Sequence, residues 1–270
     1  MNPAVSGQDV SVRYGPNVAL ASSSFSIPSG MVTTLIGPNG SGKSTLLNLI
    51  AGLVEPSSGS IRLHGDEPPR LSYVLQSTKV NEALPVTVAE IVAMGRYSNA
   101  GLLGRFNETD RAAIEKAMQR MDIESLAGRH LAELSGGQRQ RVFVAQGLAQ
   151  PHDLLLLDEP LTGLDLPSAQ AIDLVIHDEQ SHGCTVIMTT HDLAEAQASN
   201  WVVLLSGRVI ACGPPSEVLT QEHLSAAYGS LHIEGDQVFV DDPAHRPADA
   251  RHHHGERLIH TEVDRSDLHG

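Results

Sequence analysis

Apolar residues gather in short runs that stop at glycine, at a carboxylate or at a polar side chain. Met31–Ile36 is rich in β-branched residues and ends at Gly37. Asp153–Leu157 carries four consecutive leucines into Asp158 and Glu159. Thr185–Thr190 leads to His191, Leu71–Leu75 leads to Gln76, and Trp201–Leu205 has the same length. Runs this short, without polar alternation, predict buried strands of a parallel sheet. Helical patterns fall between them, at Leu46–Gly52, Thr87–Arg96, Glu108–Met121 and Arg139–Gln150. Strands alternating with helices predict an α/β fold, whose ligands bind at the carboxyl ends of the strands.

No run approaches the eighteen or so apolar residues that span a bilayer. The opening Met1-Asn2-Pro3-Ala4-Val5 lacks the basic-then-apolar plan of a secretory signal. The expectation is a cytoplasmic protein that reaches a membrane only through a partner. The 270 residues are 41 % apolar, enough for a sizeable core, and 3 % aromatic. Eighteen basic residues against thirty-two acidic give a net charge of −14, which argues against a surface built for nucleic-acid phosphates. Cys184 and Cys212 stand in apolar surroundings and read as reduced, buried thiols rather than a disulfide or metal ligands.

Three motifs carry chemistry. Gly37-Pro38-Asn39-Gly40-Ser41-Gly42-Lys43-Ser44-Thr45 joins a predicted strand to a predicted helix. Its glycines let backbone N–H groups turn toward an anion, and the helix N-terminus adds partial positive charge. Lys43 is suited to reach β- and γ-phosphates, and the Ser44 hydroxyl to ligate Mg²⁺. At the end of the leucine strand, Asp158 is suited to hold Mg²⁺, and Glu159 to act as general base on an attacking water. The third motif, Leu134-Ser135-Gly136-Gly137-Gln138, precedes a helical run. A loop of the first kind arises by chance in about one chain in a hundred of this length, and the pentapeptide far more rarely.

In this order the motifs resemble the ATP-binding-cassette ATPases, over about residues 8 to 230. The resemblance implies a P-loop NTPase (RecA-like) core with an antiparallel β subdomain and an inserted α-helical subdomain at about 77–145. It implies a head-to-tail homodimer holding two ATP molecules, each between one subunit's phosphate loop and the other's Ser135, Gly136, Gly137 and Gln138. It further implies that Tyr14 stacks on adenine and that Gln76 touches Mg²⁺ and water and reports to a membrane subunit. Asp165 would cross the dimer interface, and His191 would contact the γ-phosphate and orient Glu159. With no membrane span of its own, the chain would work through a separate integral membrane permease and, indirectly, an extracytoplasmic metal-binding protein. That puts it on the cytoplasmic face of the membrane.

Within the family, Leu84–Tyr97, Asp158–Asp165 and Leu219–Gly229 look like the ATPases of manganese and zinc importers. Siderophore importers share parts of this pattern and are the alternative. A non-transport cassette in DNA maintenance or translation is the other; no coiled-coil arm fits between Lys43 and Leu134, and there is a single cassette. Gln146 stands where the family usually has arginine, and Asn200 where it usually has aspartate. After about Leu231 the character changes. Leu231–Val240 is predicted to form a small hairpin, and Asp241–Gly270, with His245, His252, His253, His254, His260 and His269, a disordered polar tail.

Overall fold

The computed structural model describes residues 2–65, 69–75, 85–97 and 105–229, together with the backbone of 231–234 and 237–240. Two long strands, β1 (Pro3–Tyr14) and β2 (Asn17–Pro28), form an antiparallel pair whose turn is made by Gly15 at φ 59°. With β4 (Ser58–Leu63) they make a three-stranded sheet in the order β2-β1-β4. The main sheet has six strands: β5 (Leu71–Val74), β6 (Leu154–Leu157), β7 (Thr185–Thr190), β3 (Val32–Ile36), β8 (Trp201–Leu205) and β9 (Val209–Gly213), in that spatial order. All neighbours are parallel except β8 and β9.

The leucine strand shows why this sheet is buried on both faces. Successive side chains of a strand point to opposite sides. Leu154 and Leu156 pack with Leu35, Leu46, Leu47, Ile187 and the antiparallel sheet's Val5, Val10 and Val12. Leu155 and Leu157 enter the other cluster, with Val74, Val186, Met188 and Ile172. All four leucines are at most 2 % exposed. Burying each contributes roughly 1.5–3 kcal/mol, so no polar face survives and the run reads as continuous leucine.

Among the described residues between β5 and β6, the chain makes the α-helices α2 (Val88–Met94), α3 (Glu108–Arg120) and α4 (Gly136–Ala149). The first two begin with reciprocal capping boxes. Thr87 Oγ1 accepts from the Glu90 N–H while Glu90 returns to the Thr87 N–H, and Asn107 and Asp110 do the same. Val88, Ile91, Met121 and Ile123 share one apolar cluster with Leu155 and Ile172, so the helical insertion is packed onto the sheet. A third cluster seats Leu193 of α6 (Leu193–Ala198), Val218 of α7 (Pro215–Val218) and Ala227 of α8 (Gln221–Tyr228) against Val202 and Leu204. The remaining long helix, α5 (Leu166–Ser181), lies between β6 and β7, and β10 (Leu231–Glu234) pairs with β11 (Gln237–Val240) as a hairpin.

Candidate functional site

Because β3, β5, β6 and β7 run parallel in register, their C-terminal ends share one edge of the sheet. The loop after β3, the carboxylates after β6 and the histidine after β7 therefore emerge side by side. The loop needs its glycines. Gly42 holds φ 100° at the N-cap of α1 (Lys43–Ile50), and a Cβ there would stand 2.9 Å from the Ala19 carbonyl oxygen. A Cβ on Gly37 would strike the Leu205 carbonyl oxygen. The Gly207 N–H bonds the Ser41 carbonyl oxygen at 3.0 Å, tying the loop to the β8–β9 turn.

Lys43 is almost fully buried and its Nζ donates to the carbonyls of Gly37 (2.7 Å) and Pro38 (3.2 Å). Burial lowers the ammonium's pKa from its ordinary value, while the charges of Glu159 and Asp158 act the other way. Around it lies a cavity of about 230 Å³, lined by Ala19, Asn39 through Thr45 and Glu159. Loop amides, a buried ammonium and a helix start converge on that space, which is what an anionic phosphate chain requires. Ser41 Oγ is buried there and meets no hydrogen-bond partner among the described residues.

The acidic side is built as closely. Asp158 is 2 % exposed, and its Oδ1 accepts from Ser44 Oγ (3.2 Å) and Thr189 Oγ1 (2.8 Å). Thr189 Oγ1 in turn accepts the Glu159 N–H at 2.8 Å. Glu159 sits at φ 49°, a left-handed conformation that costs a non-glycine residue of order 1–3 kcal/mol. The residue lines the cavity in that conformation. Two hard oxygen donors about 3 Å apart match adjacent ligands of an octahedron with bonds of 2.0–2.1 Å, so Ser44 and Asp158 fit Mg²⁺.

Other predicted residues fall elsewhere. Ser135 caps α4, accepting the Gln138 N–H, and Gln138 Oε1 accepts the Ser135 N–H. Both side chains therefore shape the helix start, where Gly136 is exposed and Gly137 buried. Gly137 lies so close to Asp165 Oδ1 that no side chain fits between them. Asp165 stands at the N-cap of α5 but makes no capping bond, so the plain helix-cap role does not apply. Tyr14 is 50 % exposed and His191 is exposed at the end of β7; neither lines the cavity. Gln76 lies outside the described residues, as does Asp241–Gly270. Cys184 is buried and Cys212 half-buried, both as free thiols.

Two participants escape the motifs. Thr189 reads as one more β-branched strand residue, and only register across β6 and β7 brings it to Asp158. Ala19 belongs to the antiparallel sheet and reaches the cavity through the tertiary fold. Asn200 Oδ1 accepts the Val32 N–H at 2.9 Å, keeping the acceptor that an aspartate would offer without its charge.

The family model for the ABC transporter matches residues 20–162, which contain the phosphate loop, the pentapeptide and the acidic pair. The chain belongs to the ABC transporter family. It is 38 % identical to the manganese transport system ATP-binding protein MntB of Bacillus subtilis over 239 residues, 86 % of this chain and 96 % of that protein. It is 37 % identical to the zinc transport system ATP-binding protein TroB of Treponema pallidum, over 84 % of this chain and 87 % of that one. Among solved structures, a chain of a transporter described as metal-chelate type, in an inward-facing conformation, superposes with a TM-score of 0.75 at 29 % identity, covering 88 % of this chain and 96 % of that chain. The cassette is thus a nucleotide-binding ATPase subunit, and its fold is that of the family.

Proposed function

We propose that this chain is the ATP-hydrolysing subunit of an importer for a divalent metal ion, zinc or manganese, working through a separate membrane permease. One observation carries the catalytic reading: the buried Lys43, the Ser44–Asp158 pair and the strained Glu159 meet around the glycine-loop cavity. The metal reading rests on the likeness to the manganese and zinc system ATPases.

The triphosphate of ATP enters along the loop from Gly37 to Gly42, taking the N–H groups of Gly37, Asn39, Gly40, Ser41 and Gly42 while Pro38, which has no N–H, shapes the turn, with Lys43 leaving its carbonyl partners for the β- and γ-oxygens. Mg²⁺, held by Ser44, Asp158 and Gln76, supplies charge neutralisation on the phosphates when bound. Thr45 continues the first turn of the helix whose N-terminus faces the anion. Glu159 takes a proton from the attacking water, and His191 contacts the γ-phosphate and steadies Glu159. Tyr14 offers its exposed ring to adenine.

Ser135, Gly136 and Gly137 complete the site of a second copy, with Gln138 fixing the helix start and Asp165 at the crossing. A closed homodimer then binds ATP more tightly than an open one, and that difference is what drives the permease. The extracytoplasmic metal-binding protein is engaged only through the permease. The assembly works on the cytoplasmic face of the membrane, without nucleic acid.

Uptake of radioactive zinc and manganese in a strain deleted for this chain tests the reading. Restoration by the parent and not by Glu159→Gln supports it; normal uptake of both metals in the deletion strain refutes metal import. If iron-siderophore uptake alone depends on the chain, the siderophore alternative holds instead.

A further inference from the structure

At the opposite edge of the main sheet, three metal-ligating side chains face one another outside the nucleotide site. His152 precedes β6, Cys184 precedes β7, and Glu179 lies in the last turn of α5. His152 Nε2 is 3.0 Å from Glu179 Oε2, and the ligand atoms of all three residues lie within 4.8 Å of one another. Among the described residues this is the one group of three or more such side chains so placed. Asp153 and the four residues of β6 separate His152 from Asp158, a span of roughly 20 Å in extended chain.

We propose that His152, Glu179 and Cys184 form a zinc-binding site. The donor set is nitrogen, oxygen and sulfur, the combination that Zn²⁺ accepts and that hard cations do not. Tetrahedral zinc with bonds of 2.0–2.3 Å places its ligand atoms roughly 3.3–3.8 Å apart, so the gathering closes by about 1 Å.

The outer contacts are also those of a metal site. His152 Nδ1 donates to the Gln150 carbonyl at 2.7 Å, which orients the ring with Nε2 toward the cluster. Arg120 from α3 holds the other oxygen of Glu179, and its second arm binds Asp178 at 2.6 Å. The three side chains are 6–12 % exposed and so largely shielded from water. Zinc takes the thiolate of Cys184, whose proton passes to solvent, and the unprotonated Nε2 of His152. Three protein ligands leave the fourth position to water. This assignment changes the reading of Cys184 as a plain buried thiol, and it stands independently of which substrate the transporter carries.

Cobalt(II) titration of the full chain under reducing conditions tests it, because only a thiolate ligand gives the intense near-ultraviolet sulfur-to-cobalt band. The histidines between 245 and 269 bring no sulfur and stay silent in that band. The expected result is a band saturating at one equivalent and bleached by added zinc. It persists in Cys212→Ser, vanishes in Cys184→Ser, and needs at least tenfold more cobalt in His152→Ala and Glu179→Gln. No band in the parent, or a band kept in Cys184→Ser and lost in Cys212→Ser, overturns the proposal.

Discussion

The Thr189 hydroxyl donates to Asp158 Oδ1 at 2.8 Å and accepts the backbone N–H of Glu159 at the same distance. One strand residue on β7 thereby fixes both acids at the end of β6. The geometry is possible only because β6 and β7 pair in parallel with Leu157 opposite Met188. Thr189→Val keeps the shape and removes both bonds, at a cost of about 1–3 kcal/mol, although Asp158 Oδ1 keeps its bond from Ser44. The expected outcome is a kcat at least tenfold lower with ATP affinity little changed, read by steady-state hydrolysis and equilibrium nucleotide binding.

Gly137→Ala separates binding from turnover. The new methyl would meet Asp165 Oδ1 and come within 3.0 Å of Ser168 Cβ, so the start of α4 must shift away from α5. The phosphate loop is untouched. Each subunit should bind nucleotide as before while hydrolysis falls at least tenfold, a split that fluorescence titration and a phosphate-release assay will show.

Lys43→Ala removes the ammonium at the cavity floor. The carbonyls of Gly37 and Pro38 lose their donor, and the phosphates lose their nearest cation. ATP affinity is expected to fall at least tenfold and turnover to vanish. Lys43→Arg does not rescue, since the longer planar head does not fit the two-carbonyl niche.

Arg70 reaches Asp153 through two nitrogens, Nε at 3.0 Å and Nη2 at 2.6 Å, and holds its carboxyl down at about 2 from an ordinary 3.8. A depressed carboxylate stabilises the fold above its unfolded value and loses that contribution as pH falls through the folded one. The contribution is therefore full above about pH 4 and gone below about pH 2. It is small and weakens in high salt because both partners are largely exposed. NMR titration of the Asp153 carboxyl carbon should show this midpoint, and it should rise toward the ordinary value in Arg70→Ala.

The parallel strands were legible because burial on both faces leaves no charged residue to interrupt them: Thr185–Thr190 is a strand with the bounds that the pattern predicts, and β3 differs only in starting at Val32 rather than Met31. Of the helix starts, Glu108 was read where it stands, and that of α4 was not. The α4 helix begins at Gly136, three residues before the apolar pattern, because Ser135 and Gln138 cap it through side chains that periodicity does not weigh. The phosphate loop and the acidic pair are local in sequence, so they could be read directly. Thr189, Ala19 and the His152–Glu179–Cys184 cluster depend on register and on contacts between distant segments, which no short window contains.

The central claim is that two copies share each ATP, and Glu159→Gln tests it most directly. Removing the base leaves the loop, Lys43 and the Ser44–Asp158 pair in place, so ATP binds and stays intact. Sedimentation velocity of this variant with saturating Mg-ATP should show a dimer, returning to monomer when the nucleotide is removed. A species that stays monomeric with ATP bound, alone and with its permease, would contradict the account.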